Sequence, residues 1–223
     1  METVTNMVIV IISKDQPKYI NDFENKLSDY KHLYVLDRPT VEYPKNIPCI
    51  INNNGTGFLA GRMRDLGAMN FIGEDILFLD GDKVPIGNLK SVENAPFECV
   101  LLGVKDDRRK YFDGTTHQIT LPDIINQGNG CYTCGILYRA SLIEKFRQYN
   151  EGRIFHPTFD ETWGEEDTWN GDIMNYEHTK IGVVSDCYLS ETIGGWADPK
   201  LPQLVTNFMK RLNLKRKYHF IEI

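Results

Sequence analysis

The sequence predicts an α/β fold: one domain with a central mixed, mostly parallel sheet flanked by helices. Three observations carry that reading. Short apolar runs alternate with stretches of helical period in the order strand, helix, strand, strand, helix, strand across residues 7–79. Acids follow the ends of these runs, at Asp15, Asp37 and the pair Asp80 and Asp82, the edge where open α/β sheets bind ligands. With 223 residues, 41% hydrophobic and 25% charged, the chain is long enough for one large core, and no stretch has the length needed to cross a bilayer.

The first strand is the run Met7 to Ile12, too short and without a basic lead to be a secretory signal, so a cytoplasmic protein is expected. Ser13-Lys14-Asp15-Gln16-Pro17 breaks it, and apolar residues at Ile20, Phe23, Leu27 and Tyr30 predict a helix over Lys18 to Tyr30. Leu33 to Leu36 and Ile47 to Ile51 are the next strands, stopped by Asp37-Arg38-Pro39 and by Asn52-Asn53-Asn54-Gly55. A helix is predicted from Phe58 to Phe71, then a strand from Asp75 to Leu79.

Beyond Pro85 the pattern predicts a strand over Glu98 to Val104, a hairpin or loop over Lys105 to His117, and a short strand over Cys134 to Tyr138. Ser141, three residues before Glu144, has the character of a cap for a helix reaching Tyr149. Gly164 to Asn175 reads as a loop continuing into a helix, Ile181 to Val184 as a strand, and Leu201 to Leu214 as a final helix.

A net charge of −6 disfavours nonspecific grip on nucleic acid or anionic membrane by the whole molecule. Two basic clusters stand out against it, Lys105, Arg108, Arg109 and Lys110, and Lys210, Arg211, Lys215, Arg216 and Lys217. Each is either a solvated face or a local site for an acidic partner. Five cysteines without a secretory signal do not suggest a disulfide framework, and Cys131-Tyr132-Thr133-Cys134 lacks the second pair that a zinc site needs. The five histidines are scattered without metal-ligand spacing, and no phosphate-binding G-x-x-x-x-G-K-[ST] or nucleophile elbow G-x-S-x-G occurs.

The chemistry concentrates where Ile76-Leu77-Phe78-Leu79 runs into Asp80-Gly81-Asp82. A buried strand delivering two hard oxygen ligands into a crevice suits Mg²⁺ or Mn²⁺ that a substrate's phosphates also hold. Alone, the same residues read more readily as an Asp-Gly turn. Their neighbours separate the two readings. Arg64-Asp65-Leu66-Gly67, then Gly73 six residues on and Asp80 thirteen after Gly67, resembles the R-N-x-G, A-x-G and D-x-D succession of the GT-A nucleotide-sugar glycosyltransferases. Trp163-Gly164-Glu165-Glu166-Asp167, led by Phe159-Asp160-Glu161, is similar to the W-G-G-E-D block of galactosyl- and N-acetylhexosaminyl-transferases.

The resemblance implies a Rossmann-like GT-A domain over residues 1–223. Residues 1–90 would form the nucleotide-binding half, 91–200 the acceptor and catalytic half, and 201–223 a C-terminal helix and tail. It implies transfer of a sugar from a nucleoside-diphosphate sugar, UDP-linked in the first instance, to a hydroxyl acceptor with inversion. Asp80 and Asp82 would hold Mn²⁺ or Mg²⁺, Asp167 would be the base, and Glu166 would hold sugar hydroxyls. Ser13, Asp15 and Asp37 would meet base and ribose, and Asp80 with Gly81 would lie along the donor.

Arg64, with Arg62 as its competitor, would reach the diphosphate, while Lys83 is expected to be exposed. Counting without gaps from Glu166 places the family's third metal ligand at Glu191, with Asp186 or no third ligand as alternatives. The acceptor could be a glycan, a protein, a lipid-linked sugar or a hydroxylated DNA base. A sugar-nucleotide pyrophosphorylase and a non-catalytic sugar- or nucleotide-binding module are the competing readings.

Overall fold

Met7–Ser13 forms β1, buried along its whole length, because both faces of this strand are covered. The computed structural model describes residues 7–54, 60–104, 115–119, 135–160, 165–189 and 201–220. Within them β1 is followed by a 3-10 turn at Pro17–Tyr19, α1 (Ile20–Leu27), β2 (His32–Asp37), β3 (Cys49–Asn52), α2 (Ala60–Ala68) and β4 (Asp75–Asp80). Next come β5 (Pro85–Gly87), α3 (Leu89–Asn94), β6 (Cys99–Val104), β7 (His117–Ile119) and β8 (Ile136–Tyr138). The chain continues with α4 (Ala140–Tyr149), a 3-10 turn at Pro157–Phe159, α5 (Glu165–Tyr176), β9 (Ile181–Leu189) and α6 (Leu201–Lys217).

The strands form one sheet in the order β3-β2-β1-β4-β8-β6-β9-β5, with β7 also paired to β9. The four parallel ladders run for four to six residue pairs each and the four antiparallel ladders for three. The sheet is therefore mixed and mostly parallel, as expected. Val8, Val10 and Ile12 of β1 and Ile76 and Phe78 of β4 face one core, which Met63, Phe146 and Trp169 close from α2, α4 and α5. Met7, Ile9, Ile11, Leu77 and Leu79 face the other, under Phe23 of α1 and Val92 of α3. Apolar residues at every position of β1 follow from this two-sided burial, each large one contributing roughly 1.5–3 kcal/mol.

Three elements differ from expectation for identifiable reasons. The predicted helix over Lys18 to Tyr30 is divided, with a proline-led 3-10 turn before α1. Strand β9 runs to Leu189 instead of Val184, because its second half pairs with β5 and with the end of β6 across a register shift. The exposed Ser185 and Asp186 interrupt the apolar run without ending the strand. Ser141 is not the cap of α4. The N-cap position is Arg139, whose side chain does not cap, and Asp75 at the start of β4 accepts the Ala140 amide at 2.8 Å and an Arg139 guanidinium N–H at 2.8 Å. A carboxylate from another element thus fills the role that Ser141 could have served locally.

Helix α2 lies unusually close to the sheet. A Cβ at Gly67 would stand 2.4 Å from Val10 Cγ1 and 3.0 Å from Val35 Cγ2, both on stiff β-branched side chains. Gly67→Ala is expected to lift α2 off β1 and to lower unfolding stability by about 1–3 kcal/mol in a denaturant titration, the cost of an overpacked core.

Candidate functional site

Where the parallel strands end, their registers align a row of polar residues. Asp37 pairs with Asn52, Leu36 with Ser13, and Ile12 with Asp80. Gly81 follows, its amide bonded to Ile12 O at 2.7 Å, and a Cβ there would fall 2.4 Å from Ser13 Oγ. Only glycine lets the turn after β4 lie against the end of β1, which brings the acid pair beside Ser13.

This edge is hydrogen-bonded. Ser13 Oγ lies 3.0 Å from the Tyr43 hydroxyl, which also accepts the Gln16 amide at 2.9 Å. Asp15, at φ +54°, accepts the Thr40 amide and hydroxyl, and the amide holds its carboxyl below the ordinary range. Asp37 is fully buried and accepts from Arg38 Nε at 2.8 Å, Arg38 Nη2 at 2.6 Å and Asn52 Nδ2 at 3.1 Å. Tyr43 and Asn52 were not singled out from the sequence. Both sit in polar segments, and their roles come from strand pairing and loop closure.

Arg64 links the two halves of the chain. Its side chain is 3% exposed; Nη2 donates to Asp80 Oδ1 at 2.8 Å, and Nη1 lies 3.6 Å from Glu166 Oε1 at the start of α5. Gly67 sets α2 against β1, and at Gly61 a Cβ would stand 3.2 Å from Glu166 Cγ, so helix and acid meet with little space between them. The motif from Arg64 to Gly67 is therefore a geometric unit: the glycine supplies the close approach and the arginine makes the contact.

Burial raises the Asp80 carboxyl above the ordinary range against the pull of Arg64, with Asp82 adding to the rise. Asp167 is raised well above the carboxylate range, first by burial and then by the neighbouring Glu166 charge, with Arg64 opposing. Lys83 is 8% exposed and therefore not the surface lysine expected. The turn through Gly81 and Asp82 folds back, so that the Lys83 amide donates to Asp80 O at 2.9 Å and the Lys83 charge favours the ionised Asp80.

A second layer positions α5. Asp65 Oδ2 accepts two N–H groups of Arg153, at 2.9 and 2.7 Å, while its Oδ1 accepts the amides of Ile154 and Phe155. Arg153 also grips Asp160 with Nη1 and Nη2. Asn150, fully buried, accepts the Trp169 indole N–H at 2.7 Å and donates to Asn170 and to Ile154 O. Trp169 is thus a core residue, stacked on Phe220 at 5.3 Å.

The basic run of α6 is largely engaged within the fold. Arg211 and Lys215 pair with Asp172 of α5 at 2.6 and 2.8 Å, Arg211 also reaches Glu165, Lys210 donates to Thr158 O and Lys217 pairs with Glu151.

The donor set suits a hard cation. Asp80 accepts from Arg64 through Oδ1, whereas its Oδ2 and both Asp82 oxygens accept no hydrogen bond among the described residues. Among those residues no three His, Cys, Asp or Glu side chains gather as a metal site. Glu191, the expected third ligand, lies outside the described residues, as do Trp163, Gly164, Trp196, the Cys131 and Cys134 pair and the cluster Lys105 to Lys110. Asp186, the alternative ligand, is exposed on β9. Cys49, Cys99 and Cys187 are free thiols.

No family model matches the sequence, and no curated protein matches it. Solved structures match the fold. GalNAc-T7, solved with UDP, GalNAc and Mn²⁺, superposes with a TM-score of 0.62 at 12% identity, over 96% of this chain and 48% of that one. The fold is GT-A-like. The present chain spans about half the length of GalNAc-T7. More distant similarities are to A197 from STIV (TM-score 0.48, 15% identity, 84% of this chain and 86% of that one). A putative glucose-1-phosphate thymidylyltransferase from Bacillus anthracis, solved with sucrose, follows at TM-score 0.44 and 9% identity, over 92% of this chain and 95% of that one. No helix among the described residues is long and apolar enough to cross a membrane.

Removing the buried cation tests this arrangement directly. In Arg64→Met, Asp80 and Asp167 lose the guanidinium that opposes their rise, and their folded-state pKa values rise further. A carboxyl whose folded pKa lies above its unfolded value loses stability as pH rises through the folded value. The stability deficit of Arg64→Met is therefore expected to be larger at pH 8 than at pH 5, by urea denaturation at both. An equal deficit would mean that Arg64 contributes packing and not charge.

Proposed function

We propose that this chain is a metal-dependent glycosyltransferase that moves a sugar from a nucleoside-diphosphate sugar, UDP-linked, to a hydroxyl acceptor with inversion at the anomeric carbon. The observation that carries the reading is Arg64, which joins Asp80 at the end of β4 to Glu166 at the start of α5. Two acidic blocks more than eighty residues apart in sequence meet at one buried guanidinium. The GT-A-like fold and the UDP, GalNAc and Mn²⁺ in GalNAc-T7 support the same reading.

In this reading Ser13 lines the edge where base and ribose lie, Asp15 and Asp37 fix the backbone there through Thr40, Arg38 and Asn52 instead of meeting the ligand as expected, and Gly81 lets the diphosphate run close to the backbone. Mn²⁺ or Mg²⁺ at Asp80 and Asp82, with Glu191 as a third oxygen donor, would neutralise the charge that grows on the departing diphosphate. Arg64 holds Asp80 in place and offers Nε and Nη1, which make no hydrogen bond among the described residues. Glu166 orients sugar hydroxyls. Asp167 takes the proton of the acceptor hydroxyl as its oxygen bonds to the anomeric carbon and the bond to the phosphate oxygen breaks. Burial suits Asp167 to this role, since a carboxylate with a raised pKa is a stronger base.

The test is hydrolysis of UDP-sugars without acceptor, followed by release of UDP. Turnover is expected with Mn²⁺, to be lost with EDTA and in Asp82→Asn, and to fall by about 10²–10⁴ in Asp167→Asn. The acidic limb of the rate profile is expected above the ordinary carboxylate range, because Asp167 acts only when deprotonated and its pKa is raised. Absence of turnover with every donor tried would sink the enzyme reading, and a UDP-induced rise in melting temperature without turnover would indicate a binding module instead.

A further inference from the structure

A cavity of about 490 Å³ opens between the outer flank of α2 and the turn that leads from α4 toward α5. Its described lining has an apolar side made by Leu66, Ala68, Met69 and Ile154, and three arginines, Arg62, Arg147 and Arg153. The charges around it are not equally available. Arg153 is engaged by Asp65 and Asp160, donating two N–H groups to each. Arg62 makes no hydrogen bond or ion pair among the described residues. Arg147 gives only Nη1, to Glu144, an exposed partner one turn away on the same helix, which leaves Nε and Nη2 open. Two guanidiniums with open edges therefore share a cavity whose acids are already hydrogen-bonded to the third.

We propose that this cavity binds a small phosphate monoester, its dianion held by Arg62 and Arg147 and its organic group laid against Leu66 and Met69. The two open guanidinium edges argue for phosphate over carboxylate. A monoanion is matched by one guanidinium fork, whereas a phosphate dianion presents three oxygens and two charges to two forks. The volume exceeds what inorganic phosphate needs, and the exposed Met69 thioether offers an adaptable apolar surface for the remainder. Gly67, which packs on β1, is not among its lining residues, and neither is any residue of the proposed donor site. Asp65 borders the cavity and adjoins Arg64 in sequence, so occupancy also bears on the helix that carries Arg64.

The experiment follows the methionine methyl resonances of ¹³C-methyl-labelled protein, with Met69 assigned through Met69→Leu, during titration with phenyl phosphate in EDTA. Working without metal keeps the result independent of turnover and of the donor reading. A saturable shift of the Met69 methyl is expected, with a Kd on the order of 1 mM or tighter. It should weaken by about tenfold in the double variant Arg62→Gln, Arg147→Gln, and inorganic phosphate should bind more weakly than phenyl phosphate. Unchanged positions of the other methionine methyls verify that the variant is folded. Absence of a saturable Met69 shift, or the same affinity in the double variant, would overturn the proposal, and equal affinity for the two probes would remove the apolar part of it.

Discussion

A guanidinium that is 3% exposed is costly to bury without counter-charges, and Arg64 has Asp80 on one side and Glu166 on the other. That requirement sets much of the surrounding geometry. Arg64 reaches Asp80 because Gly67 lets α2 sit against Val10 and Val35 with no methyl between them. It reaches Glu166 because Gly61 leaves no side chain between α2 and α5. Neither glycine has a positive φ, so their value here is close approach rather than backbone freedom.

Legibility from sequence followed the range of the interactions. The strands β1, β2, β4 and β6 could be read because burial on both faces writes itself as an uninterrupted apolar run, and such a run needs no knowledge of its partners. The acids at strand ends could be placed for the same reason. What could not be read depends on residues distant in the chain. Asp75 caps a helix that begins at residue 140, and Asp65 accepts backbone amides of residues 154 and 155. In one dimension Ser141 was the better cap and Asp65 a modest replacement for asparagine. Lys83 looked exposed beside two acids, and the turn after β4 buries it. Tyr43 and Asn52 carried no local signal, since a tyrosine in a polar loop and an asparagine before a turn are ordinary.

The C-terminal helix illustrates how charge composition alone misleads. Five basic residues between Lys210 and Lys217 read as either a solvated face or a local site for an acidic partner. Asp172 on α5 takes two of them, and Glu165, Thr158 and Glu151 take further contacts, so the run chiefly fastens α6 to the helix whose first turn carries Glu166 and Asp167. Tyr218 and Phe220, just beyond it, pack with Tyr149 and Trp169 on the same helix layer. The tail thereby acts on the candidate site from behind.

Hydrogen-bond saturation separates the acids that hold the fold from those open to ligands, a distinction the sequence cannot make. An ionised carboxylate has about four acceptor positions. Asp37 accepts three side-chain N–H groups, Asp65 accepts from Arg153 and two amides, and Asp75 bridges Arg139 and Ala140. Each stands where the chain must be fixed. Asp80 is bonded through one oxygen only, and Asp82 takes no hydrogen bond among the described residues. A structural turn would be expected to fill such acceptors with nearby amides, as Asp15 does with Thr40. Two adjacent carboxylates left short of donors, next to a buried arginine and facing the edge where four strands end, have the electrostatic deficit that a divalent cation would relieve.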